Sequence, residues 1–458
     1  MSNKYTIYAL STYYGKSGIA IIRLSGNNAL YSLKRFYIKD IILPRKAILT
    51  KLYEYKTKRF IDESIVIYFP KKNSYTGQDI IEFHIHGSIS IINCILYQLK
   101  LLKKYRLAYH GEFTKIALKN NKINFFQVEA LEYLINSETE IQQMLTSQLY
   151  NGYFNKIYIT IKNSLLNIIV STKAYLDFPE ETINNIILLD YSIYSLYFLL
   201  NKIINNFKIS KKLINGVTIV IVGSTNSGKS TFMNVITQSN TSIISTISGT
   251  TRDIIKNKTN ILGIPVTFND TAGFNETINP IEKLGIIKTL KTIKNGQFII
   301  YMYDINIKID YTILKCINKI VYKQSIFFII LNKNDLCKNT DKNIYYFNKN
   351  ILYLKIKYNS FIIISLLDQD LYKILYENIK ELIYKIIPSS SSLIIFNYRQ
   401  KKILKFCNNY ILNALNNKSL DLKLENLKNA INQLTFLLGK ISNKKILNNI
   451  FKNFCIGK

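Results

Sequence analysis

Residues 221–231 read "IVGSTNSGKST", and this stretch decides the fold. It contains G-x-x-x-x-G-K-[ST] from Gly223 to Ser230. The apolar, β-branched run "VTIVIVG" (217–223) precedes it and the helix-like "STFMNVI" (230–236) follows. A strand that ends in a glycine-bearing loop and opens a helix aims backbone N–H groups and a helix N-terminus at one point, which is a phosphate cradle. In that pattern Lys229 reaches the β- and γ-phosphates and the Ser230 hydroxyl binds Mg²⁺. Asn226, Ser227, Gly228 and Thr231 complete the loop against the nucleotide.

The residues downstream follow the order such a fold requires. "IPVTFND" (264–270) reads as a second strand, and "DTAG" puts Asp270 at its end, within reach of the Mg²⁺ shell. Thr271, Ala272 and Gly273 continue that loop, with the Gly273 N–H facing a γ-phosphate. Between the two loops lies "TTRD", in which Thr251 is the natural second hydroxyl on the metal. "LNKNDL" (331–336) then selects the base. In N-K-x-D the Asp335 carboxylate accepts from guanine N1–H and N2–H₂, and adenine offers neither donor. Asn332 braces the loop and Lys333 stacks along the base, so GTP is the expected nucleotide. Ser365, in "IIISLLD", stands where the last base-contacting loop belongs, with Leu366 where an alanine is usual. Phe274 follows "DTAG" at the position where many GTPases orient the attacking water with glutamine, and phenylalanine cannot do this. Glu276 and Glu282 are the acids nearby; from the residues alone, each reads more readily as part of a solvated helix than as catalytic.

The rest of the chain has three textures. Residues 1–122 mix short β-rich runs such as "GIAIIRLSG" and "IIEFHIHG" with glycine turns, an α+β pattern. Residues 123–212 carry apolar positions at helical spacing, 213–376 alternate strand and helix, and 377–458 return to helical spacing. A helical domain interrupted by an inserted doubly wound α/β domain is the expected architecture. The formal charge of +32 is discounted as a nucleic-acid signal, because lysine is inflated along the whole chain. Arginine, only 7 of the 61 basic residues, is more informative, and Arg23 and Arg252 both fall inside motifs. Five scattered cysteines (Cys94, Cys316, Cys337, Cys407, Cys455) and three histidines (His84, His86, His110) lack metal-ligand spacing. This excludes a disulfide framework and a zinc site, and implies a reducing compartment. The start does not read as a signal peptide, and no uninterrupted apolar run reaches the roughly 18 residues of a membrane span, so a cytoplasmic protein without membrane attachment is expected.

Several stretches outside the GTPase motifs carry a family resemblance: "TIYALSTYYGKSGIAIIRLSG" (6–26), "NSYTGQDIIEFHIHG" (73–87), "GEFTKIALKNNKINFFQVEAL" (111–131), "LDFPEE" (176–181) and "FCIGK" (454–458). With "SGTTRD" and "DTAG" they resemble the MnmE (TrmE) family of bacterial tRNA-modifying GTPases over essentially the whole chain. The resemblance implies G domains that dimerise across the nucleotide, with K⁺ supplying the charge of an arginine finger. Asn226, Ser245, Ile247 and Thr250 match the potassium loop, with Thr246, Ser248 and Gly249 in the same nucleotide-facing segment. Glu282 falls on the family's water-orienting glutamate. Arg23, Glu82, Lys122 and Lys458 match contacts to a tetrahydrofolate derivative (5-formyl or 5,10-methylene). The implied protein is a homodimer that joins the flavoprotein MnmG in a heterotetramer. It installs an aminomethyl-type group at carbon 5 of the wobble uridine of certain tRNAs.

The sequence departs from the family pattern at Tyr5, Tyr13, Tyr14, His110, Asn124 and Thr225. Asn124 replaces an aspartate, and Thr225 a proline. The terminal "CIGK" has the outline of a lipid box, but a terminal lysine is a poor fit to one, which leaves Cys455 as a buried structural thiol or as a functional thiol beside the folate site, the reading that the resemblance favours. Two other functions fit the GTPase motifs alone, a ribosome-assembly GTPase and a decayed GTP-binding scaffold.

Overall fold

Strand periodicity in the N-terminal region delivers charged residues to one face of a sheet and apolar residues to the other. The computed structural model describes residues 5–38, 43–178, 186–224, 226–238, 255–270, 296, 298–307, 326–337, 340–353, 360–366, 369–384, 397–438 and 457. Strands β1 (Thr6–Leu10), β2 (Ser17–Ser25), β3 (Ile48–Tyr53), β4 (Phe60–Phe69), β5 (Ile80–Gly87) and β6 (Tyr105–Leu107) form a sheet ordered β3-β4-β5-β2-β1-β6. Its pairs are antiparallel except β1 with β6. In β2 the alternation buries Ala20, Ile22 and Leu24 and turns Ile21 and Arg23 to the opposite face. Arg23 is in register with Glu82 of β5. Helices α1 (Tyr31–Arg35) and α2 (Ile89–Lys100) lie beside the apolar face, where Ile92, Ile95 and Leu99 pack with Ile22, Leu24 and Phe83. Helix α3 (Glu112–Lys119) supplies Phe113 and Ile116 to a second cluster with Ile7 and Ala9 of β1.

Helix α4 (Phe125–Ile135) begins at a capping box. Asn124 Oδ1 accepts from the Gln127 N–H and Gln127 Oε1 from the Asn124 N–H, each at 2.9 Å. Asparagine and aspartate are equivalent here, because either offers the acceptor oxygen the first turn needs. Helices α5 (Glu140–Tyr150), α6 (Tyr153–Asp177) and α7 (Ile186–Asn215) follow. By length and composition α7 would reach across a membrane, although no uninterrupted apolar run of that length exists in the sequence. The difference arises because Asn, Asp, Ser and Lys are interspersed among its many Ile, Leu and Phe. Its buried residues include Leu189, Ile193, Leu196, Leu200, Ile203 and Phe207, which recur at three and four, the spacing of one packed helix face.

The second sheet is the α/β pattern predicted around the phosphate loop. Strands β7 (Val217–Gly223), β8 (Ile255–Ile261), β9 (Ile264–Asp270), β10 (Phe298–Asp304), β11 (Ile326–Asn332) and β12 (Ser360–Ile363) are ordered β12-β11-β10-β7-β9-β8. Only the β8–β9 hairpin is antiparallel. β10 is buried at every residue, as expected for a central parallel strand that reads as one apolar run. Helices α8 (Lys229–Gln238), α9 (Thr340–Tyr353) and α10 (Gln369–Tyr384) accompany this sheet. Because the strands are parallel, Gly223, Asp270, Asp304, Asn332 and Ile363 all end at one edge. The order reverses at β7, and a doubly wound sheet binds ligands in the crevice at such a point.

Helices α11 (Tyr398–Asn416) and α12 (Leu420–Thr435) complete the described chain. The molecule divides into two compact units, Met1–Asn136 with Thr146–Tyr197 and Ile403–Lys458, and Ser137–Leu145 with Phe198–Lys402. Within the first, α12 packs against α6, so helices far apart in sequence share a core. Phe126 of α4 meets Phe154 of α6 edge-on at 4.9 Å. The buried Lys423 ammonium of α12 pairs with Asp190 of α7, as a buried lysine requires. Cys407 is fully buried on α11, and burial pushes its thiol up to about 12, so it is an inert core residue.

Candidate functional site

The phosphate loop is shaped by two positive φ angles. Asn226 adopts φ 60° and Gly228 φ 99°. A Cβ on Gly228 would stand 2.3 Å from Asn332 Nδ2, so only glycine lets the loop approach the end of β11. Asn332 uses that proximity. Its Nδ2 donates to the Ser227 carbonyl at 3.0 Å and its Oδ1 accepts from the Leu366 N–H at 3.2 Å. One buried amide therefore ties the 223–230 loop to the loops after β11 and β12. Leu366 serves through its backbone, which explains why the usual alanine is not required at that position. The Lys229 ammonium, at the start of α8, donates to the carbonyls of Gly223 and Ser224 at 3.1 and 2.5 Å.

A cavity of about 370 Å³ joins these elements, lined by Asn226, Gly228–Thr231, Asn332, Lys333, Asp335, Leu336, Ser365 and Leu366. The structure thus brings together the phosphate-loop residues and the guanine-loop residues read from the sequence. Asp335 lies in the short 3₁₀ turn Asn334–Leu336 and is exposed, with its carboxylate available to a base. Asp270 ends β9 at the same sheet edge. Oxygen donors at Ser230 and Asn226 on the cavity wall suit hard cations such as Mg²⁺ and K⁺. Ser245, Thr246, Ile247, Ser248, Gly249, Thr250, Thr251, Thr271, Ala272, Gly273, Glu276, Glu282, Cys455 and Lys458 lie outside the described residues.

A second constellation occupies the charged face of the N-terminal sheet. Arg23 Nε donates to Glu82 Oε1 at 2.7 Å, and His84 Nε2 lies 3.2 Å from Glu82 Oε2. Burial works to raise the Glu82 pKa, but the His84 hydrogen bond and the Arg23 charge and hydrogen bond outweigh it and hold the carboxyl below its ordinary value. Lys122 donates to the Lys72 carbonyl at 2.6 Å, next to the 74–78 segment. That segment reaches β2 through Ser25, whose hydroxyl is 2.7 Å from Thr76 Oγ1 and donates to Gln78 Oε1 at 3.1 Å.

The same face receives Gly457. The Gly457 carbonyl accepts from Ser11 Oγ at 3.2 Å and from Arg23 Nη1 at 3.4 Å. Gly457 has φ 102°, and a Cβ there would meet the Leu10 carbonyl oxygen at 2.4 Å and Ser11 Cα at 2.8 Å. The resemblance assigned Arg23 and Glu82 to one ligand, and the sequence did not single out Ser11, His84 or Gly457 as their neighbours. The period-2 placement of His84 beside Glu82 was a readable signal, whereas a main-chain carbonyl leaves none.

Comparison with known proteins identifies the family. The description "GTP-binding protein TrmE N-terminus" matches residues 6–122, and "MnmE helical domain" matches residues 125–455. The chain belongs to the MnmE family. It is 34% identical to the tRNA modification GTPase MnmE of Ehrlichia chaffeensis, over 99% of this chain and 100% of that one. It is 35% identical to that of Pelagibacter ubique, again over 99% and 100%. Among solved structures, a GTP-binding protein from Sulfolobus solfataricus in complex with GDP is 22% identical, covering 49% of this chain and 67% of that chain at a TM-score of 0.29. As an MnmE-family member with its phosphate and guanine loops assembled around one cavity, the chain is a GTP hydrolase.

Proposed function

We propose that this MnmE-family enzyme is a tRNA-modifying, potassium-activated GTPase. In this reading it works as a homodimer with MnmG, and installs an aminomethyl-type group on carbon 5 of the wobble uridine from a tetrahydrofolate one-carbon donor. The observation that carries the reading is the seat of the C-terminal tail: Gly457 rests on Arg23 and Ser11, beside Glu82. The GTPase motifs lie in the other compact unit, so a residue 434 positions from Arg23 that accepts from its guanidinium supports a second site on this sheet. Arg23 offers a planar fork suited to a carboxylate of the folate type, and Lys122 and Lys458 add cationic reach. Ser230 and Thr251 would hold Mg²⁺, and Asn226, Ser245, Ile247 and Thr250 would hold K⁺. When bound, these cations neutralise charge that accumulates on the phosphates. Lys229 and the loop N–H groups hold the phosphates in place, while Glu282 orients the attacking water that Phe274 cannot reach.

Two measurements test this. Mass spectrometry of tRNA from cells lacking the protein should find the wobble uridine without its carbon-5 substituent; an unchanged nucleoside profile would refute the modification role. GTP turnover should rise by about tenfold or more when Na⁺ is exchanged for K⁺ at equal ionic strength, as expected when a finger-type charge is supplied. Glu282→Ala should remove most of that stimulated rate with little change in nucleotide affinity. Equal rates in the two salts would sink the potassium loop, and a loss caused by Glu276→Ala instead would reassign the water-orienting acid.

A further inference from the structure

A residue with a side chain occupies the left-handed region in the middle of the guanine loop. Lys333 has φ 65° and ψ 39°, a conformation favoured by glycine and disfavoured by a Cβ. The loop after β10 holds it there. Lys333 Nζ lies 2.7 Å from Asp304 Oδ2, and the Lys333 carbonyl accepts from Asn306 Nδ2 at 3.1 Å. Asp304 Oδ1 in turn accepts from the Asn306 backbone N–H at 3.0 Å and from its Nδ2 at 3.2 Å. One carboxylate therefore closes the turn that presents Asn306 and also anchors the lysine ammonium.

The surroundings make this anchor firm. The Asp304 side chain is 5% exposed and that of Lys333 31%, so the carboxylate faces the lysine rather than water. Asp304 ends the fully buried β10 and is in register with Asn332 of β11. The anchor is thus built on the rigid centre of the sheet, one residue from the amide that ties the loops together. Lys333 lines the nucleotide cavity, and Asp335 follows two residues later. Without a partner, a lysine ammonium at this wall would turn toward solvent or toward nucleotide phosphates.

We infer that Asp304 is a positioning residue for guanine recognition. Acting through Lys333, it keeps the lysine stem in place as the shelf for the base and sets the direction from which Asp335 meets the base edge. Nothing in the N-K-x-D motif contains this residue, which lies 29 positions before Lys333 on a different strand.

A double-mutant cycle tests the inference, using release of fluorescent mant-GDP and mant-GTP from the full-length protein. Asp304→Ser removes the carboxylate but keeps an oxygen that can accept from Asn306, so the turn has a substitute closure. Lys333→Met removes the ammonium and keeps an unbranched stem. Each variant should release both nucleotides about tenfold faster, the effect of breaking a largely buried ion pair next to the ligand. The loss should fall on KM for GTP rather than on kcat, and the ratio of GTP to GDP affinity should hold, because the phosphate loop is untouched. The double variant should be no more than about twofold worse than the worse single, since both substitutions break one link. Losses that multiply in the double variant, or unchanged release from Asp304→Ser, would overturn the inference. If circular dichroism shows Asp304→Ser unfolded, Lys333→Met decides alone: unchanged release from it would equally overturn the role.

Discussion

Asn in place of Asp335 is expected to abolish the preference for guanine. Two hydrogen bonds to the base are lost or reversed, each about 1–3 kcal/mol when a buried partner is left unsatisfied. Together these weaken GTP binding by roughly thirtyfold to twenty-thousandfold. The amide offers a donor where the carboxylate offered only acceptors, so xanthosine triphosphate, with an acceptor where guanine has a donor, should gain what GTP loses. The surrounding contacts make the substitution a clean one. Asn332 holds the loop through Ser227 and Leu366, and Lys333 holds it through Asp304, so neither support depends on Asp335. Asp335 is exposed in the described structure, and its exchange for an isosteric amide leaves no buried group unpaired in the protein itself. Calorimetric titration of both triphosphates checks the prediction. An unchanged preference would show that "NKND" does not contact the base.

The two sites differ in how far they could be read from the chain. The cavity of the second sheet was legible as far as its described loops go, because each of these is a short local motif, and a parallel sheet brings all its strand ends to one edge without further instruction. What stayed hidden there is the support. Asp304 closes an apolar strand and carries no motif of its own, and its partner is known only once β10 and β11 are seen in register. On the N-terminal sheet, alternation along β5 puts Glu82 and His84 on one face, but only the β2–β5 register brings Arg23 opposite Glu82. The tail seat is of another kind. Its contacts join residues 434 and 446 positions apart, and the accepting group is a main-chain carbonyl that every residue type possesses. The readable part of "CIGK" was its cysteine and lysine, while the structural requirement falls on the glycine between them.

That requirement gives the sharpest test of the terminal thiol. Cys455→Ser should remain folded, melt within a few degrees of the parent and hydrolyse GTP normally, yet support no wobble-uridine modification when reconstituted with the partner flavoprotein. Separation of the two activities is expected because the nucleotide site and the tail belong to different compact units. Gly457→Ala should reproduce the defect with the thiol intact. Alanine would adopt a left-handed φ at a cost of about 1–3 kcal/mol, and its Cβ would be driven into the Leu10 carbonyl and Ser11 Cα, which are main-chain atoms that cannot swing aside. Those costs exceed what two long hydrogen bonds from Ser11 and Arg23 return, at about 0.5–1.5 kcal/mol for a typical one, so the tail should leave its seat. Loss of modification in both variants, with GTP turnover retained, assigns the thiol a function that depends on docking. Loss in Gly457→Ala alone would mean that the tail matters as a wall of the site and the sulfur does not. Full modification by Cys455→Ser would end the functional-thiol reading: a drop in its melting temperature would then favour a packed structural cysteine, and a change in membrane partition a lipid anchor.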